Sequence, residues 1–503
     1  MTEFLARVGD RINPIVVKET RQAVSSRLVA TFLLLFLAVQ FIVMLLMIAG
    51  REASQGELNL RAGREMFTFV QGILLGTCLI LIPTMTGARL AAERTDVNVD
   101  LLFISSLTPR AVLSGKLLAA AALALLIFSA CAPFMTFAYV MRGLDVPTIL
   151  VVLTADYLAV LLGTTFALFL ASVPANRGLR ILLGLFGFIG MCYIGAGLLT
   201  LSAAFLRGGS DFDMSSWEFW LGCLGVVSLI FGAMGLLFVW AVALISPPAA
   251  NRAYPVRVYT LILWLLGFVG FAIWSLHIKR PEPVGVWGML GCALFSLQIV
   301  ISVCERDRWG ARVARRIPRS LALRVPAFLF YSGAAGGIAF GVIGATLSAL
   351  GALLWLGFVP SARTVEGDMA LVGALVAGYT YCYCLTAAVF RRLLDTSMFR
   401  PGYTWVIALL LTAIGFVVPY LVQFALFDRP RYANADETIA LYLPNPAVML
   451  DDATRRDSHV ALTTVFLVVW ASLATLVNVP WFVKQLLGFR PPEPEDEEDE
   501  EDE

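Results

Sequence analysis

The chain has 503 residues, of which 59% are hydrophobic and only 15% charged, against about 25% charged in soluble domains. Apolar runs of twenty or more residues recur from end to end, which excludes a soluble globular protein; a β-barrel would show short alternating segments instead. The net charge of +1 hides an imbalance, because residues 493–503 hold ten acids, and without them 37 basic residues face 26 acidic ones.

The expected fold class is therefore all-α: a polytopic membrane protein of about twelve transmembrane helices, both termini cytoplasmic. Residues 1–27 are polar and carry no signal-peptide pattern. Asn13-Pro14 reads as a cap followed by a first-turn proline. Ile15, Val16, Ala23 and Val24 share one helical face, with Lys18, Arg21 and Gln22 on another. That pattern predicts an amphipathic helix lying in the membrane interface. The first apolar run, Leu28–Ala49, is too long for a cleaved leader and stays as a span.

Spans follow at roughly 28–49, 67–87, 110–140, 149–172, 179–205, 217–245, 258–277, 284–303, 326–359, 370–390, 404–427 and 461–483. The run 326–359 is long enough to tilt strongly or break. Four segments result: a leading amphipathic helix in 1–27, a six-span unit over 28–245, a second six-span unit over 246–490, and an acidic stretch over 491–503. With the N-terminus inside, the inner segments carry 25 of the 37 Lys and Arg and the outer ones 12, as the positive-inside rule requires. The longest outer connection, Asp428–Val460, contains Pro430, Pro444 and Pro446 and is expected to form a small cap. The stretch PPEPEDEEDEEDE repels itself, builds no core and is expected to be a disordered, solvated tail, with binding to a basic partner as the alternative.

The polar interval Arg89–Lys116 separates the second and third spans. It carries Glu93-Arg94, then Asp100-Leu101-Leu102, then Thr108-Pro109. Thr108 caps a new helix and Pro109 suits its first position. The apolar patch in the middle predicts a short helix at the membrane surface that offers a face to something outside the bilayer.

Chemistry-bearing motifs are sparse. A phosphate-binding loop needs Gly-Lys followed by Ser or Thr; of Lys18, Lys116, Lys279 and Lys484, only Lys116 follows a glycine, and Leu117 comes next. Eight cysteines sit in or beside apolar runs without metal spacing, and only His277 and His459 are present, so no metal site, resident cofactor or catalytic activity is expected. Asp156 is the one carboxylate clearly inside an apolar run, a functional candidate by default, although a water-facing residue or a partner of Arg142 fits as well. Gly333, Gly337 and Gly341 with Ala345 form a helix-packing ladder. Tyr379, Tyr381 and Tyr383 alternate and cannot share one helix face.

Glu93-Arg94, Leu101-Leu102, Leu107-Thr108-Pro109-Arg110 and Gly115-Lys116 resemble the first cytoplasmic loop of ABC-2 type transporter permeases. Asn13-Pro14-Ile15-Val16-Val17-Lys18-Glu19 is similar to that family's helix before span one. Thr95-Asp96-Val97-Asn98 departs from a glycine-threonine pair found in many members. The resemblance covers roughly residues 10–245. It implies a membrane-spanning subunit, an exporter of the inner membrane, whose loop docks on a separate cytoplasmic ABC ATPase that hydrolyses the ATP. Glu93, Arg94, Asp100, Leu101, Leu102, Thr108 and Pro109 would carry coupling, supported by Asn13, Pro14, Lys18 and Glu19. Further expected partners are membrane lipids and a second permease unit or copy, and no nucleic acid.

Two alternatives stay open. Asp307-Arg308-Trp309-Gly310 followed by arginines resembles the loop of twelve-span major facilitator secondary carriers, although Val303 stands where that motif has glycine and Ala311 interrupts the arginines. A non-transporting scaffold is the other. The loop Glu305–Arg319 also begins Glu-Arg and ends Pro-Arg before a span, so it reads either as a degenerate second coupling loop or as a topology determinant that touches anionic lipid.

Overall fold

A computed structural model describes residues 14–52, 61–93, 108–141, 144–174, 177–207, 214–247, 250–306, 309–358, 366–394, 401–427, 440–455 and 459–491. Among these residues the secondary structure is helical, with no strand. Twelve helices are long and apolar enough to cross a bilayer, so the chain is a multi-pass membrane protein. It divides into two compact units, Met1–Pro247 and Pro248–Glu503.

The first unit starts with α1 (Pro14–Val24) and continues with the long helices α2 (Arg27–Glu52), α3 (Arg61–Glu93), α4 (Pro109–Val140), α5 (Val146–Ser172), α6 (Arg177–Leu206) and α7 (Trp217–Ile245). Helix α3 is central: α2, α4, α5 and α6 all lie against it. Phe67, Val70, Leu74, Leu75 and Cys78 on α3 are fully buried. Only 11% of the spanning window of α2 or α6 is buried, against 61% for α3. The outer two therefore present leucine and phenylalanine faces to lipid, where packing rather than the hydrophobic effect holds helices together. Helix α1 lies against the first turns of α4.

The second unit comprises α8 (Ala253–Ile278), α9 (Glu282–Ser302), the short α10 (Ala311–Ala314) and α11 (Leu321–Phe330), then α12 (Ala334–Phe358), α13 (Glu366–Leu394), α14 (Thr404–Phe427), α15 (Pro446–Arg455) and α16 (Val460–Gly488). Its second long helix, α9, packs on the first, third and fourth; its fourth, α13, packs on the second, third, fifth and sixth. The same neighbours meet in the first unit, where α3 and α5 take these places. Each half is thus a six-helix unit, and the two share these neighbours, the first unit adding α6 against α3.

Small residues let α9 and α12 approach. A Cβ on Gly341 would lie 2.5 Å from Ile299 and 3.0 Å from the Phe295 carbonyl, and one on Gly288 would meet Ala352 at 2.5 Å. Gly337 and Gly341 therefore belong to a helix-packing seam with α9. Gly333 precedes α12 and donates its amide to Glu305 at 2.6 Å.

The run 326–359 is not one helix. It breaks at Tyr331–Gly333, between α11 and α12. Arg257 of α8 satisfies the freed carbonyls, donating to Leu329 at 2.9 Å and Tyr331 at 2.6 Å. Asn251 accepts from the Ser332 amide and hydroxyl at 3.0 and 2.8 Å. A break in a spanning helix persists where side chains re-satisfy the backbone in this way.

The connection after α14 carries α15. Asn445 caps it, accepting from the amides of Ala447 and Val448. Tyr379 and Tyr383, one turn apart on α13, donate to the carbonyls of Leu443 and Pro444. Tyr381 faces the other way and bonds Thr475 at 2.8 Å.

Candidate functional site: a buried ion cluster flanking the 94–107 loop

Three helices of the first unit converge where the polar interval leaves and re-enters the bundle. Helix α3 ends at Glu93, and α4 begins behind Thr108, whose hydroxyl accepts from the Ala111 amide at 3.3 Å with Pro109 at the first helical position. Seven residues on from Pro109, Lys116 is 2% exposed. Burying an ammonium at that depth is costly unless it is paired. Its Nζ donates to Glu19 Oε1 of α1 at 2.7 Å and to Glu93 Oε1 of α3 at 2.9 Å. Arg89, one helical turn before Glu93, places Nη1 3.8 Å from Glu19 Oε2. Two cations and two carboxylates thus close into a neutral cluster, which is the condition for burying them together.

The four are not equally dry. The Glu19 side chain is 9% exposed, whereas Glu93 is 42% and Arg89 29%. The Lys116–Glu19 pair is therefore the strong link, and Glu93 forms the solvent-facing rim. Beside the cluster lies a cavity of about 30 Å³ lined by Glu19, Met85, Arg89, Lys116 and Leu123. That volume suits a water molecule and is far below the roughly 300 Å³ of an organic-ligand site. The cluster fastens α1 to the two helices that bracket residues 94–107.

Of the expected coupling residues, Glu19 and Glu93 meet in the cluster, Thr108 and Pro109 start α4 two turns before Lys116, and Pro14 begins α1. Lys18 is exposed and stands apart from the cluster. Asn13, Arg94, Asp100, Leu101 and Leu102 lie outside the described residues, as does Arg142. Arg89 and Lys116 hold the cluster together; neither has a role assigned from the sequence, Arg89 standing just past the run 67–87 and Lys116 near the start of the run 110–140.

Asp156 is a separate site. It is 1% exposed and accepts a hydrogen bond from Gln71 Nε2 at 2.9 Å, so it faces α3 rather than water. Gln71 Oε1 in turn accepts from the Ser202 hydroxyl at 3.0 Å. Gln71 and Ser202 carried no signal in the sequence, because single amides and hydroxyls are ordinary in membrane helices.

The second unit has its own acid–base latch at the matching point in its helix order. Glu305, three residues past α9, receives Arg257 Nη2 on both oxygens at 2.7 and 2.8 Å. Burial pushes its carboxyl above the usual carboxylate range, opposed by the Arg257 guanidinium and the Gly333 amide.

No protein-family model, curated protein or solved structure matches the chain.

Proposed function

We propose that the chain is the membrane-spanning permease subunit of an ATP-driven transporter of ABC-2 type, an exporter of the cytoplasmic membrane, energised by a separate ATPase that docks on the 89–116 interval. One observation carries this reading: the Glu19–Lys116–Glu93 cluster ties both flanks of that interval to α1. A loop that only joins two helices has no need of a buried ion cluster across its base. A loop that receives mechanical work does, because a rigid base converts a push into a tilt of two spans. ATP is then hydrolysed in the partner, and this chain supplies the path. The latch at Glu305 supports a fused pair of such units, each with a stiffened base after its second span.

The test is a pull-down of the full chain from its native membrane. An ATPase with a phosphate-binding loop is expected to co-purify, and Glu93→Gln combined with Pro109→Ala is expected to reduce its recovery at least fivefold. Repeated purification of intact complexes without an ATPase would overturn the proposal. Ion-driven carriage is the second reading, and buried Asp156 is its support. It requires Asp156→Asn to abolish ion-driven flux, whereas the coupling reading requires flux to survive because the Gln71 hydrogen bond is kept.

A further inference from the structure

From the geometry at the end of α16, we infer that the acidic stretch Glu493–Glu503 docks within the same chain on the face formed by Arg306, Arg312, Arg315, Arg316 and Arg319. Three observations lead there.

First, the root of the stretch is fixed. Phe489 is fully buried in a cage formed by the rings of Trp309, Phe328 and Tyr331, with centroids 5.1, 5.5 and 5.4 Å away. Gln485, one turn earlier, accepts from the Ala335 amide at 3.1 Å. The acidic stretch therefore starts four residues from a side chain stacked on Trp309, itself three residues before Arg312.

Second, among the described residues the arginine face shows no carboxylate partner. Val313 and Ile317 are buried and hold the segment against the unit, the latter in the same apolar cluster as Phe489. The arginines around them are exposed: Arg306, Arg312, Arg315, Arg316 and Arg319. Among the described residues, none of the five has a carboxylate within salt-bridge distance.

Third, charge and reach match. The stretch carries ten acids in eleven residues. Four residues span at most about 14 Å when extended, so Glu493 reaches the segment that cages Phe489 and the rest can run along it. A tether this short holds acids near the arginines at an effective concentration in the millimolar range. Like charges left side by side repel, so pairing relieves both partners at once. Anionic headgroups are the competing occupant of an arginine-rich surface beside the exposed Leu321, Leu323 and Val325. The covalent tether favours the acidic stretch.

The experiment uses full-length protein in neutral detergent and a fluorescent peptide of residues 491–503. Three chains are compared: the natural one, one whose ten acids at 493–503 are changed to Gln or Asn, and that chain with Arg312→Gln, Arg315→Gln, Arg316→Gln and Arg319→Gln added. The peptide is expected to bind the acid-neutralised chain at least tenfold more tightly than the natural chain. Binding is expected to vanish in the arginine-substituted chain and to weaken at least tenfold between 50 and 500 mM salt. Equal binding to the natural and acid-neutralised chains would overturn the inference. So would peptide binding that survives the four substitutions. If instead the peptide fails to bind and bound phosphatidylglycerol is lost with the four arginines, the face belongs to lipid and the inference is wrong. The arginines are exposed, so elution volume and helical content should be unchanged; a scrambled peptide of equal composition should bind as well, since charge carries the contact.

Discussion

Lys116→Met is the sharpest perturbation of the first unit. It removes an ammonium that bridges Glu19 at 2.7 Å and Glu93 at 2.9 Å. Methionine fills similar space, so little of the loss comes from packing. Breaking a buried pair from one side costs about 3–5 kcal/mol, because the remaining charge is uncompensated. Two features discount this. Arg89 still lies 3.8 Å from Glu19, and Glu93 is exposed enough for water to replace the lysine, a loss of about 0–1 kcal/mol. The expected cost is therefore about 2–4 kcal/mol. Glu19→Gln should cost a similar amount. The double variant should cost little more than either alone, since no unpaired buried charge remains, giving a coupling of about 2–3 kcal/mol. Equilibrium unfolding of the four proteins in mixed micelles, followed by circular dichroism, measures it. Single-variant costs that add to within about 0.5 kcal/mol would refute the reasoning, because independent sites behave that way.

Three further outcomes follow from the second unit. Gly341→Ala should destabilise by about 1–3 kcal/mol through overpacking against Ile299 and the Phe295 carbonyl; Gly357→Ala, with open space around it, should be neutral or slightly stabilising in the same unfolding assay. Arg257→Met should cost more than Glu305→Gln, because the guanidinium also holds the carbonyls of Leu329 and Tyr331 at the helix break; the difference is read from the two unfolding midpoints. Phe489→Ala should cost about 3–5 kcal/mol by emptying its aromatic cage, and trypsin should then cleave at Arg312, Arg315 and Arg316 several times faster than in the natural chain.

Much of the candidate site was legible as types of residue. Thr108-Pro109 marked a helix start because capping is local chemistry, and the helix begins there. Glu19 and Glu93 could be marked only through the resemblance to a family loop. Lys116 was visible as a lysine inside an apolar run, yet nothing local said which acid it would meet. The run 326–359 was long enough to tilt or break, but what holds the break at Tyr331–Gly333 is Arg257, more than seventy residues earlier in the chain. Asp156 read as a functional candidate that could also face water or pair with Arg142, and its hydrogen bond to Gln71, on another helix, had no local signal.

The class of the molecule and its helices came from the chain alone, because a bilayer demands about twenty apolar residues per crossing and an internally bonded backbone, both of which are properties of contiguous sequence. Only the tertiary structure decided which charges share a burial site: Glu19, Glu93 and Lys116 are brought together by three helices packing side by side. Pairing in a low-dielectric interior depends on separation in space, and composition and periodicity carry no record of it.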